Sequence, residues 1–271
     1  HEPAAALRSV AGHSMRMDGT VRGMRFSPPV LAAFALLLGI MAHAPERADA
    51  RCARALWIPT LVTPTEQPLP TQATFLVAMM IEWDQQNQAV EGRFPEDAAL
   101  VRRVGEGDAA TEERIALRVV PLGAGLARYE PASRPSEGVY QLTGLGRRPR
   151  DITFASRGAL RVPAARPPSR VVLDVGPMRV QGNRGGVVTT RAVRATLPAP
   201  VSGPPTALIA YWEGEAGAAA VVPHGVTEVV LFRESIHCAS PLPGTRAPRA
   251  GDQRELALVD AFGRVSRRVR Q

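Results

Sequence analysis

Ser235 and His237 carry the most direct chemical suggestion in this chain, a hydroxyl and an imidazole two residues apart in Glu-Ser-Ile-His. On an extended strand they share a face, but same-face neighbours stand too far apart for the imidazole to take the serine proton reliably. Ser156, in Ala-Ser-Arg-Gly, has no nearer base, and neither serine lies in a G-x-S-x-G elbow. Beyond residue 50 the histidines are His224, in a Pro-His-Gly turn, and His237, next to Cys238. Adjacent residues of a strand point to opposite faces, and a metal site needs three or four convergent ligands. The sequence therefore assigns no catalytic residue, no metal ligand and no cofactor.

Two acidic clusters flank tryptophans: Glu82-Trp83-Asp84 and Trp212-Glu213-Gly214-Glu215. Carboxylates beside an aromatic ring are the furniture of sugar-cleaving sites. Each cluster also directly follows an apolar run, where an acid entering a loop and a Trp capping a core are ordinary. Trp83 and Trp212 stand as candidate ligand-stacking residues rather than as parts of a hydrolase.

The charge pattern narrows the partners. All 33 basic residues are Arg, and the chain has no lysine. The arginines are scattered, and the Arg-rich tail at residues 264–270 contains no aromatic residue. A nucleic-acid platform interleaves basic and aromatic residues, so none is expected. Residues 182–186 (GNRGG) lack the spacing of a phosphate-binding loop and read as a turn. Arg147-Arg148-Pro149-Arg150 reads as a solvated loop.

The elements that hold these residues begin with an address. Met24-Arg25 precedes thirteen apolar residues at 30–42 (VLAAFALLLGIMA), and a short polar segment then ends in Ala48-Asp49-Ala50. That order is a secretory signal peptide over residues 24–50, with cleavage between Ala50 and Arg51. The apolar run is shorter than the roughly 20 residues that span a bilayer, so no permanent membrane span is expected after processing. Residues 1–23 read as a disordered leader, or as sequence upstream of a start at Met24. An exported chain with two remaining cysteines, Cys52 and Cys238, is expected to pair them as a disulfide.

After residue 50 the chain alternates short apolar runs with Gly and Pro punctuation. A Pro-rich lead-in (residues 51–70) precedes strands expected at 74–81, 115–121, 138–142 and 151–154. Residues 96–104 (EDAALVRRV) read as one or two helical turns. A boundary falls in the Pro-rich stretch at 162–170, followed by strands at 171–175 with 178–180, 187–197, 206–212, 227–233, 255–260 and 263–269. This is an all-β pattern, divided into one domain over 51–165 and a second over 166–271.

Two segments carry a family resemblance. Leu69-Pro70-Thr71-Gln72-Ala73-Thr74-Phe75-Leu76-Val77 resembles the Pro-turn and opening strand of bacterial Ig-like domains, with Gln72 at the usual Asn position. Residues 255–266 (ELALVDAFGRVS) resemble the last hairpin of such modules, with an Asp-x-x-Gly-Arg-x-Ser turn. The chain thus looks like an exported bacterial protein of two Ig-like β-sandwich domains. The resemblance implies no catalytic residues. The function expected is a non-enzymatic structural or binding module of the cell envelope, periplasmic, at the cell surface or secreted. Its expected partner is another envelope protein or an anionic glycan. An anion- or polysaccharide-binding surface protein is the alternative, and a small secreted hydrolase stands behind both.

Overall fold

The computed structural model describes residues 55–83, 93–105, 111–146, 148–181, 187–234, 241–242 and 244–271. The expected signal peptide, the expected Ala50–Arg51 cleavage site, Cys52, Ser235, His237 and Cys238 lie outside the described residues. Every regular element among the described residues is a strand. In chain order these are β1 (Ala55–Leu61), β2 (Phe75–Trp83), β3 (Ala99–Val104), β4 (Thr111–Gly123), β5 (Leu126–Pro131), β6 (Gly138–Thr143) and β7 (Arg150–Phe154). They continue as β8 (Val172–Gln181), β9 (Val187–Thr196), β10 (Thr206–Trp212), β11 (Glu215–Val222), β12 (Glu228–Arg233), β13 (Arg254–Val259) and β14 (Val269–Arg270).

The first seven strands form one sheet in the order β1-β2-β5-β4-β3-β6-β7. β4 makes that sheet curl over on itself. Its first half pairs with β3 (Thr111 opposite Val104), and its second half pairs with β5 (Gly123 opposite Leu126). The two halves face each other across a core of Phe75, Val77 and Tyr129 on one side and Leu100, Tyr140, Leu142, Ile152 and Phe154 on the other. Edge-to-face contacts of Phe154 with Phe75 and Tyr140 fill its centre. The Leu69 main chain closes the open side by pairing with both Thr153 and Ala155.

The second half of the chain makes two sheets, β11-β10-β13-β14 and β12-β9-β8, which face each other over a core containing Trp212, Leu208, Val193, Ala195 and Leu231. A third core joins the two halves. Leu76, Ala78 and Leu126, on the back of β2 and β5, pack against Ala207, Ile209 and Tyr211 of β10 and Ala257 and Val259 of β13. The result is four sheet layers with three apolar interiors between them.

This stacking follows from the period-two geometry of a strand. On β2, odd-numbered Phe75 and Val77 enter the first core while even-numbered Leu76 and Ala78 enter the central one. On β10 the odd residues Ala207, Ile209 and Tyr211 face the centre, and the even residues Leu208, Ala210 and Trp212 face the opposite core. Residues 75–79 of β2 and 207–212 of β10 are buried on both faces, so FLVAM and ALIAYW read as continuous apolar runs. In the outer layers β4 alternates instead, with Ile115 and Leu117 buried and Arg114, Ala116 and Arg118 exposed.

Polar contacts fix the join. Thr63 Oγ1 donates to the Ala261 carbonyl oxygen at 2.6 Å and accepts from the Leu76 amide at 2.7 Å. Thr74 Oγ1 donates to the Phe262 carbonyl oxygen. The Phe262 ring, from the second half of the chain, is buried in the first core.

Three expectations change. The helical turns expected at 96–104 are strand β3, because Leu100 must fill the first core while Ala99 pairs with both Ala116 and Thr143. The two pieces expected at 171–175 and 178–180 form one continuous strand, with Gly176 and Pro177 still in register opposite Ala192 and Arg191. Pro177 is tolerated because β8 is an edge strand and needs no inward N–H there. The final strand shrinks to Val269–Arg270, with a single bridge between Val259 and Val265 ahead of it.

Candidate functional site

The described residues singled out for chemistry, Ser156, Trp212, Glu213, Glu215 and His224, do not form one site. Trp212 is fully buried, so its proposed role as a ligand-stacking ring is corrected: the indole is a core anchor. Its Nε1 donates to the Arg246 carbonyl oxygen at 2.9 Å, which satisfies the one polar atom of the ring. The acids after it build a turn. Glu213 (φ 52°) and Gly214 (φ 83°) have the paired positive φ angles of a type I′ hairpin turn between β10 and β11. Glu213 Oε1 accepts from the Gln253 amide at 2.7 Å, and Glu215 pairs with Trp212 at the start of β11.

Trp83 ends β2 opposite Ala55. Its side chain, like that of Glu82, lies outside the described residues, as does Asp84. His224 is exposed in the turn before β12, where the Gly225 amide donates to the Val201 carbonyl. Among the described residues no group of three or more His, Cys, Asp or Glu side chains is placed to hold a metal ion.

Two concave regions lie where the first and second halves of the chain meet. One is an apolar cleft of about 360 Å³ lined by Trp57, Met79, Met80, Leu126, Phe232 and Leu242, between the edge strands of the two halves. The other is a groove of two lobes, about 330 and 670 Å³, that share Pro70, Gln72, Phe262 and Arg264. Arg128 and Glu130 of β5 line the first lobe, while Ser156, Arg157 and Arg161 of the segment after β7 line the second. The groove thus gathers four arginines and one carboxylate.

The turn from Asp260 to Arg264 positions its centre. Asp260 is almost wholly buried, and Oδ1 accepts from the amides of Phe262 (2.9 Å) and Arg264 (3.0 Å). Oδ2 accepts from Arg264 Nε at 2.6 Å. Arg264 also donates from a terminal nitrogen to the Val162 carbonyl oxygen at 2.7 Å, with its guanidinium over the Phe262 ring. Gly263 (φ 74°) completes the turn where no side chain would fit: a Cβ there would lie 2.8 Å from Arg128 Cγ. Ser266 Oγ accepts from the Leu258 amide at 3.0 Å, so the Asp-x-x-Gly-Arg-x-Ser turn is a hairpin fastened at both ends.

Glu130 is engaged by two arginines, Arg118 and, at 2.6 Å, Arg128. The hydrogen bond from Arg118 is the main cause that holds its carboxyl below the usual range; burial opposes it and Arg128 assists. Arg128 Nε is buried and has no acceptor among the described residues. Arg157 and Arg161 are exposed and make no ion pair among the described residues.

Scattered arginines gave no sign in the sequence that four of them share one groove. Residues 128, 157, 161 and 264 converge only through the Leu69 closure and the Asp260 turn. The Asp-Gly-Arg pattern of that turn was the one legible trace. Comparison with protein-family models gives no match, and comparison with curated proteins gives none either.

Proposed function

We propose that this chain is an exported, non-catalytic binding or structural module of the cell envelope, built from two Ig-like sandwiches. The single observation that carries this reading is the central core between β2–β5 and β10–β13. Burial of Leu76, Ile209 and Val259 there, with the Thr63 and Thr74 hydrogen bonds, ties the first and second halves of the chain together. A rigid β body with its loops and grooves held in place suits the presentation of a binding surface. The step from fold to role is by analogy with other Ig-like modules.

In this reading the signal peptide at residues 24–50 is removed, Arg51 becomes the first residue, and Cys52 is joined to Cys238. The chain-entropy model makes a bridge across so long a loop worth roughly 5 kcal/mol. Expression of the full chain in a bacterial host, with fractionation and N-terminal sequencing, tests it. The expected product is extracytoplasmic, starts at Arg51, and gains two hydrogens in mass on reduction. A cytoplasmic product with residues 1–50 intact overturns the export reading. Two free thiols in the exported product overturn the bridge. Turnover of any member of an ester, peptide and glycoside panel overturns the non-catalytic role.

A further inference from the structure

We propose that the arginine groove is a binding site for an acidic glycan, a chain of carboxylate-bearing sugars. The inference deepens the binding role above and rests on it, but it names a different place from the tryptophans, one of which is buried.

Three observations carry it. The one lining carboxylate, Glu130, is neutralised by Arg118 and Arg128, and the buried Asp260 pairs with Arg264, so the uncompensated charge of the groove is that of Arg157 and Arg161, which make no ion pair among the described residues. The groove's cationic groups are spread over both lobes: Arg128 in one, Arg157 and Arg161 in the other, and Arg264 shared. A guanidinium fork matches a carboxylate bidentately, and a row of forks suits an anion repeated along a chain better than a single small ion. Arg264 is already oriented by Asp260 and the Val162 carbonyl, so little freedom is lost when a ligand engages it.

The remaining lining favours sugar over peptide. Gln72 and Ser156 are exposed and offer an amide and a hydroxyl to ring hydroxyls. An acidic peptide would gain most from an open strand edge, where its main chain could extend the ladder. Here the Leu69 main chain, next to the lining residue Pro70, is already bonded to Thr153 and Ala155, and the amide of the lining residue Leu160 is bonded to the Pro68 carbonyl.

The test uses the full chain and oligogalacturonate as the probe, with a neutral maltooligosaccharide, polyglutamate and inorganic phosphate in parallel, by titration calorimetry at low and moderate salt. The binding variant carries Arg157→Gln and Arg161→Gln; both side chains are exposed and make no ion pair among the described residues. The control is Arg179→Gln, an exposed arginine of β8 outside the groove. Oligogalacturonate is expected to bind, to weaken as salt rises, and to lose at least about tenfold in affinity in the double variant but not in the control. No binding of oligogalacturonate overturns the proposal. So does an equal loss in the control, which means diffuse surface charge, or tighter binding of polyglutamate, which means a peptide site. Binding of phosphate alone, to the same extent in all variants, also overturns it. Each of these results leaves export, read from the N-terminal sequence, independently decided.

Discussion

Gly217 lies against the edge of the Trp212 indole so closely that a Cβ at position 217 would stand 1.9 Å from Cδ1 and 2.1 Å from Nε1. The same indole nitrogen donates to the Arg246 carbonyl, and the Arg246 amide donates back to the Gly217 carbonyl at 2.8 Å. The glycine is there for space, since its backbone is not left-handed. Gly217→Ala is expected to cost about 2–3 kcal/mol by overpacking and by breaking the Trp212 hydrogen bond. Denaturant unfolding, with a red-shifted indole emission in the folded state, checks this. An unchanged midpoint would show that the ring can move aside.

Asp260 fixes the turn that carries Phe262 and Arg264. Asp260→Ala leaves the buried amide of Phe262 without its acceptor and releases Arg264. The expected cost is about 2–4 kcal/mol, with less for Asp260→Asn, which retains one acceptor oxygen. Thermal unfolding of the two variants should rank them in that order.

Tyr129 gives the fold an alkaline limit. Its hydroxyl donates to the Pro95 carbonyl at 2.9 Å, and burial, followed by the charges of Asp97 and Glu96, pushes its pKa above the ordinary 10.0. A group whose pKa is raised on folding holds its proton more tightly in the folded state. Its contribution is therefore complete below the unfolded value and is lost as pH climbs beyond it. Stability should begin to fall at about pH 10 and keep falling as pH climbs toward the raised folded value. Tyr129→Phe should cost about 1 kcal/mol near neutrality and make that fall shallower. Some alkaline loss remains, because burial raises Tyr211 as well.

The β4–β5 hairpin can be improved. Ala124 (φ 48°) and Gly125 (φ 77°) form its two-residue turn, and alanine is a poor occupant of the left-handed region. Ala124→Asn is expected to stabilise the protein by roughly 0.5–1 kcal/mol and to raise Tm by roughly 2–3 °C. A lower Tm would mean that the apolar cleft beside the turn rejects the amide.

Ile209 sits in the central core, fully buried. Ile209→Ala should cost about 2–5 kcal/mol. Because the central core belongs to both halves, unfolding followed by fluorescence and by far-ultraviolet dichroism should move together to a lower midpoint. Separate transitions would show that each half unfolds alone.

The strands legible in the sequence were those whose apolar character survives on at least one face, such as residues 206–212, where the strand bounds agree fully with β10. β11 (EAGAAAVV) was missed because its small residues have little strand preference. They are small for a tertiary reason: Gly217 must admit Trp212, and Ala216 meets Gly123 across the join. β5 (LARYEP) was missed because Arg128 and Glu130 interrupt it, and both are spent on the groove. The groove itself was illegible, since four arginines dispersed from 128 to 264 reveal their proximity only once the chain is folded.

The double burial of β2 and β10 also bears on heredity. An outer strand such as β4 can exchange Arg114, Ala116 or Arg118 freely while Ile115 and Leu117 stay put. The buried stretch of an inner strand has no spare position, since each neighbour of Ile209 or Leu76 is walled in from one side or the other. Descendants of this chain should therefore drift fastest at their two outer layers. Kinship with distant cousins should linger longest in the short stretches FLVA and ALIAYW.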